Sequence, residues 1–440
     1  MKILLAIIAV LSFHCLICQA QAPALDLTFN PGMGIEPGGE VLSIFVETNG
    51  QIILGGVFDE FNGQGYDAVV RLNSDGSIDT NFFIGQDPSL GVTCVVAQTN
   101  GMILIGGGFS SVNGVNQRFL ARLRVDGSLD LTFTPTISGA VSKILLVENG
   151  QFLITGSFTQ VNTQSRPAIA RLNSNGSLDP SFFTGITGGN LNGIAFDSSG
   201  NILIAGSIDV STNQFLAARF FPNGNQDESF DPGPFNTGSL ISIGVEPNGE
   251  IIVTGGFTSV DGYSRTGITE LYTNGTVDPD FRPNDAINYG NLLAIESDGK
   301  MLMTGNDNLI RVNTDASVDS SFNPNVSSVD CIAIQQDGRL LVGGAFNSIN
   351  GTNINGIARL QGDSLTPFQT QLLNMNFYAG MQLSGSVGAV YRIESTTNLA
   401  TASLWSPVTT FTLTTTPFWF MDTNPINFNG SRFYRSVVIP

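Results

Sequence analysis

Histidine, the side chain most often used for general-base catalysis and metal ligation near neutral pH, occurs once in this 440-residue chain, as His14. It lies in a segment that reads as a secretory signal: Lys2, the apolar run Ile3–Leu11, then Ala20-Gln21-Ala22, with cleavage expected after Ala20 or Ala22. Removing residues 1–22 takes away His14, Cys15 and Cys18 and leaves Cys94 and Cys331. The mature chain then has no imidazole, which excludes Ser-His-Asp and Cys-His nucleophile pairs and His-ligated zinc. Any catalysis falls to carboxylates, Lys, Tyr or a hard metal. No catalytic residue, transition metal or cofactor is expected.

Carboxylates recur at fixed spacing. Asn73-x-Asp75-Gly76-Ser77-x-Asp79 sets oxygen donors at alternate positions, as calcium loops do, but its glycine directly follows the second donor instead of standing sixth. A β-turn accounts for the same residues. The Arg of each Ala-Arg-Leu stretch and the Asp downstream could pair across strands, worth at most about 1 kcal/mol if exposed. In one cycle Glu270 replaces the Arg while Asp278 remains, so capping of its own backbone in an Asx-type turn is the reading that covers every Asp. The candidate binding residues are loop aromatics: Phe61, Tyr66, Phe119 and Tyr263.

These residues are spaced by a repeat. Aligning on an Asp three residues before a Phe gives Asp26/Phe29, Asp79/Phe82, Asp130/Phe133, Asp179/Phe182, Asp227/Phe230, Asp278/Phe281 and Asp319/Phe322. The period is roughly 50 residues, that of a propeller blade. Each cycle reads as four strands. Val41–Glu47 and Gln51–Leu54 flank Asn49-Gly50, the strongest short hairpin signal. Ala68–Leu72 is the third strand and Ser77–Phe82 the fourth. Gly56, Gly107, Gly156, Gly206, Gly255, Gly305 and Gly344 hold one position in every cycle, marking a bulge or a close backbone approach between stacked blades.

The unit Gly-Gly-x-Phe, Val-Asn-Gly, Ala-Arg-Leu-Asn-x-Asp-Gly-Ser-Leu-Asp-x-x-Phe resembles the delta-60 repeat of bacterial secreted and surface proteins. That resemblance covers about three quarters of the chain and implies a β-propeller of a family without an established activity, with no catalytic residues to carry over. The cycles around Gly206 and Gly305 depart from it: the first lacks Asn-Gly after the glycine, and the second runs from Asn306-Asp307-Asn308 straight into Leu309-Ile310-Arg311. Residues 363–368 do not reproduce the fourth-strand motif whereas Leu25–Phe29 do, so the N-terminal strand should close the ring beside Ile357–Leu360.

The expected fold is therefore all-β: a signal peptide (1–22), a seven-bladed propeller of four-stranded blades (23–365), and a small C-terminal sandwich-like β module (370–440). The last part contains Trp405 and Trp419, read as core residues, and resembles C-terminal modules of verrucomicrobial and planctomycete-type secreted proteins. With 18 Lys and Arg against 36 Asp and Glu, the net charge of -18 disfavours nucleic acid. No later apolar stretch is long enough to span a membrane. Two functions stand open: a secreted, monomeric, non-catalytic scaffold binding a protein or polysaccharide at its long-loop face, or a carbohydrate-active lyase or hydrolase using paired carboxylates there. Cys94 and Cys331, two blades apart, should stay unpaired.

Overall fold

The computed structural model describes residues 23–85, 91–210, 213–236, 239–284, 289–362, 380–383, 388–396, 405–414, 418–421 and 433–439. The chain divides into two compact units, Met1–Ser364 and Leu365–Pro440. The signal segment, with His14, Cys15 and Cys18, lies outside the described residues, as do 363–368.

The first unit holds seven three-stranded antiparallel sheets, each with its strands in sequence order. Blade 1 is Glu40–Val46, Ile52–Val57 and Val69–Leu72, and blade 7 is Val329–Ile334, Leu340–Gly344 and Ile357–Leu360. Middle strands are buried on both faces, which is why they read as continuous apolar runs such as Ile52-Ile53-Leu54. The cores form between adjacent blades: Val92 and Ile105 of blade 2 pack with Ile53 and Val69 of blade 1, and Leu341 and Ile357 of blade 7 pack with Val41 and Leu54.

The recurrent glycine faces a bulge on the innermost strand of its own blade. Register slips between Val41 and Ser43 opposite Gly56, and between Val92 and Cys94 opposite Gly107. A Cβ at Gly56, Gly107, Gly156 or Gly344 would stand 2.0 Å from the carbonyl oxygen of Glu40, Gly91, Ala140 or Ser328, at the start of that strand or just before it. The close approach is thus within a blade, not between blades.

The fourth strand contracts to one bridge. Leu72 pairs with Ile78, Leu123 with Leu129 and Leu172 with Leu178, after which the Asp side chain captures the amide two residues on, as Asp79 Oδ1 does with Asn81 N at 3.0 Å. In blade 7 the equivalent bridge is Leu25 to Leu360, with Asp26 N donating to Arg359 O at 2.8 Å. The N-terminal segment closes the ring as expected.

The Arg does more than form an exposed ion pair. Arg71 Nε donates to Asp79 Oδ2 at 2.9 Å, both residues are buried, and the guanidinium lies 4.7 Å from the centroid of Phe82. Arg122, Arg171, Arg219, Arg311 and Arg359 repeat the Asp contact and the stack on the blade's Phe. Arg171 Nη1 also reaches Pro222 O and Arg359 Nη1 reaches Ser74 O, each a carbonyl in a neighbouring blade's turn. Asx capping and ion pairing occur together, one on each carboxylate oxygen.

The second unit contains Val390–Thr396 between Ser406–Thr412 and Phe433–Ile439, and a separate pair, Gly380–Leu383 with Phe418–Met421. Ile393 and Leu413 are its buried apolar residues among those described. Trp405 is half-buried; the side chain of Trp419 lies outside the description.

Candidate functional site

The connections entering each blade and the loops between middle and outer strands share one face and are zipped together there. In blade 1, Ile35 bridges Phe61, and Glu36 accepts hydrogen bonds from Asp59 N and Glu60 N at 2.8 and 3.0 Å. In blade 3, Ile137 bridges Val161 and Ser138 Oγ accepts from Thr159 N and Gln160 N; in blade 5, Phe235 bridges Val260 and Asn236 Oδ1 accepts from Thr258 N and Ser259 N. Short hairpins with tips in the left-handed region at Asn62, Asn162, Asp261 and Asn350 are thereby held rigid. Blade 4 carries a long hairpin, Ile202–Val210 with Asn213–Phe220, and blade 6 turns at Asn306-Asp307, so the face is uneven. These are the cycles whose sequences depart from the repeat.

The four loop aromatics separate on this face. Phe61 is fully buried and Tyr66 nearly so, with its ring 5.7 Å from that of Phe83; neither is exposed enough to offer its ring to a ligand, because both fill the core under the blade 1 hairpin. Phe119 is half-buried with φ 67°, its left-handed backbone held by packing against blade 3. Tyr263 is 40% exposed, and the buried Arg265 guanidinium lies 5.4 Å from its ring centroid. Arg265 is anchored in turn on Ser264 O and Asp278 O at 2.8 Å.

A second candidate lies on the axis. The bulged inner strands surround a cavity of about 410 Å³ whose polar lining includes Ser43, Thr93, Lys143, Asn192, Asn291 and Asp330. Burial pushes Asp330 up to about 7, helped by the neighbouring Glu40 carboxylate, so one carboxyl of the pair is a proton donor near neutrality. Residue type at and beside the bulge changes from blade to blade, as in Leu42, Thr93, Ser142 and Asp330, so sequence periodicity alone did not mark Glu40, Lys143 or Asp330. Cys94 and Cys331 border the same cavity as free thiols, and burial pushes the Cys94 thiol up to about 12.

A third cluster sits in blade 5. Glu246, Glu250 and Glu270 each bring one carboxylate oxygen within 4.8 Å of the others, and Glu246 and Glu270 are buried. Burial, then the neighbouring Glu250 and Glu246, pushes Glu270 up to about 10. Only Glu270 stood out in the sequence.

A profile for a domain of unknown function (DUF5122) described as a β-propeller matches seven segments: 47–82, 98–133, 148–182, 198–230, 246–281, 296–322 and 335–364. The chain belongs to the DUF5122 β-propeller family. The first six matched segments end on the buried Phe of their blade, and the seventh has its Phe supplied by Phe29 from the N-terminal strand. In fold, this DUF5122 propeller is similar to the extracellular domain of a putative one component system from B. thetaiotaomicron, at 12% identity and TM-score 0.49 over 74% of this chain and 39% of that one. It is also similar to virginiamycin B lyase from Staphylococcus aureus, at 13% and 0.48 over 73% and 94%, and to the WD40 β-propeller domain of Doa1, at 12% and 0.47 over 77% and 96%. The chain thus spans well under two thirds of the first of these. No curated protein matches the sequence. Among the described residues no helix is long and apolar enough to cross a membrane.

Proposed function

We propose that this DUF5122 propeller is an exported, monomeric, non-catalytic scaffold, and that its long-loop face binds a protein or polysaccharide. The observation that carries this reading is the Tyr263 hairpin: an exposed ring on a strand pair locked by Asn236 and Pro234 and backed by a buried arginine. Such a ring loses little freedom on binding, which is what a stacking contact to a sugar or a peptide side chain needs. The signal segment and the delta-60 resemblance support export, and the net charge of -18 disfavours nucleic acid. We assign residues 23–365 to the propeller and 370–440 to an accessory β module.

The carbohydrate-active alternative has its own observation, the Asp330 carboxyl lining the cavity with the Glu40 carboxyl beside it. One experiment separates the two: processed protein on a glycan array, with the same glycans assayed for cleavage. Binding without cleavage, weakened at least about tenfold by Tyr263→Ala at unchanged Tm, supports the scaffold. Cleavage abolished by Asp330→Asn overturns it.

A further inference from the structure

Blade 5 inverts the charge of the lock that holds the other blades. Elsewhere a guanidinium occupies the space between the outer strand, the Asp and the buried Phe. In blades 1 and 6 that guanidinium also faces a glutamate from the end of the inner strand: Arg71 Nη1 stands 4.0 Å from Glu47 Oε2, and Arg311 Nη1 3.5 Å from Glu296 Oε2. Glu246 is the blade 5 counterpart of Glu47 and Glu296, but the residue it faces is Glu270. The first residue after the hairpin is inverted too. Gln51 and Gln151 donate to the blade Asp at 2.9 and 3.0 Å, and Arg339 donates to Asp26 at 2.8 Å, whereas blade 5 has Glu250.

Among the described residues no guanidinium takes in blade 5 the place it has in the other blades, and the three side chains that meet there are all acidic. Glu246 is 4% exposed, and its Oε1 is buried with no hydrogen-bond partner. One oxygen of Glu250 is held by Asn248 Nδ2 at 2.6 Å, which orients the carboxylate, and Glu250 is half-buried, leaving a path from solvent. Nearby, Asp278 is occupied otherwise, accepting from Tyr272 Oη at 3.0 Å and from Asp280 N at 2.8 Å, while Arg265 donates to its carbonyl.

We propose that Glu246, Glu250 and Glu270 form a binding site for one hard divalent cation of the calcium class, which takes the place of the arginine guanidinium in blade 5. An all-carboxylate set with no nitrogen or sulfur donor suits Ca²⁺, which tolerates irregular oxygen coordination, better than a transition metal. Burying two carboxylates beside a third without a counter-charge is costly. This site is distinct from the Asn73–Asp79 turn, whose oxygens are engaged in turn hydrogen bonds and with Arg71.

The test uses the full processed chain, stripped with a chelator and titrated with CaCl₂ to about 1 mM at pH 7.5 while Tm and calorimetric stoichiometry are read. One Ca²⁺ per chain and a rise in Tm are expected. Glu270→Arg rebuilds the lock of the other blades, so it should fold with a metal-free Tm at or above that of the parent and lose the Ca²⁺ response. Glu246→Gln should weaken binding by at least about tenfold. A parent chain indifferent to Ca²⁺ but stabilised by lowering the pH to 6 would overturn the proposal in favour of a purely proton-bridged cluster. A Ca²⁺ response that survives Glu270→Arg would also overturn it, placing the ion elsewhere.

Discussion

The Asp-x-x-Phe aspartate divides its two oxygens between separate tasks. Asp179 Oδ1 accepts from Ser181 N and Oγ at 2.9 and 2.7 Å, while Oδ2 takes Arg171 Nε at 2.8 Å. Burial alone would raise its pKa, but these donors outweigh it and hold the carboxyl at about 2; Asp26, Asp79, Asp130, Asp227 and Asp319 are likewise held below the ordinary carboxylate range. A folded-state pKa below the unfolded value of about 3.9 stabilises the fold above that pH, and the contribution disappears as pH falls toward about 2. Six such groups act together, so stability followed by circular dichroism should drop steeply below about pH 4. Arg311, 1% exposed between Asp319 and Glu296, is the sharpest single test. Arg311→Ala leaves two carboxylates short of their counter-charge and should cost about 3–5 kcal/mol in urea denaturation.

At the scale of the element, the blade is three strands and a capped turn. The alternation in Ser77–Phe82 reads as a strand, yet only one bridge forms because the aspartate side chain takes the amide that a ladder would need. The glycine bulge is the second element-level device: it interrupts the register of the inner strand opposite a buried middle strand. Adjacent glycines in blade 2 test it. Gly107→Ala drives a Cβ to within 2.0 Å of Gly91 O and should destabilise by about 1–3 kcal/mol, whereas a Cβ at Gly108 meets nothing within 4 Å, so Gly108→Ala should shift Tm little. Equal effects would remove the bulge from the explanation.

At the scale of the whole propeller, ring closure places chemistry that no single blade contains. Blade 7 borrows its Asp and Phe from residues 26 and 29, so Asp26 accepts from both Arg359 Nε and Arg339 Nη1 at 2.8 Å across more than 300 residues of chain. The same closure puts Cys94 and Cys331 on one axial cavity with blade 1 between them. Burial pushes both thiols up, so little thiolate is present at pH 8. The folded, processed chain should be inert to a thiol reagent at that pH, and unfolding without reductant should release two thiols per chain. Rapid native reaction, or none after unfolding, would contradict this placement.

The sequence by itself determined what depends on local pattern: seven cycles, the hairpin turns, the glycine position, the missing fourth-strand motif of the last blade and hence the closing partner of Leu25. These follow because turn chemistry, strand alternation and buried Phe are each decided by a few adjacent residues. Tertiary structure decided which loop aromatics are exposed: Phe61 is on the first strand of its hairpin, at the buried position that Val260 holds in blade 5, whereas Tyr263 is on the second strand, at the position of Gln64. It also decided that Arg and Asp are buried together on a Phe ring, and that Glu246 and Glu250 meet Glu270, residues 20 or more positions apart. The physical reason is that burial and electrostatic environment are properties of the assembled ring: a carboxylate's partners come from three strands, and no one strand's sequence records whether the space between them holds a positive charge.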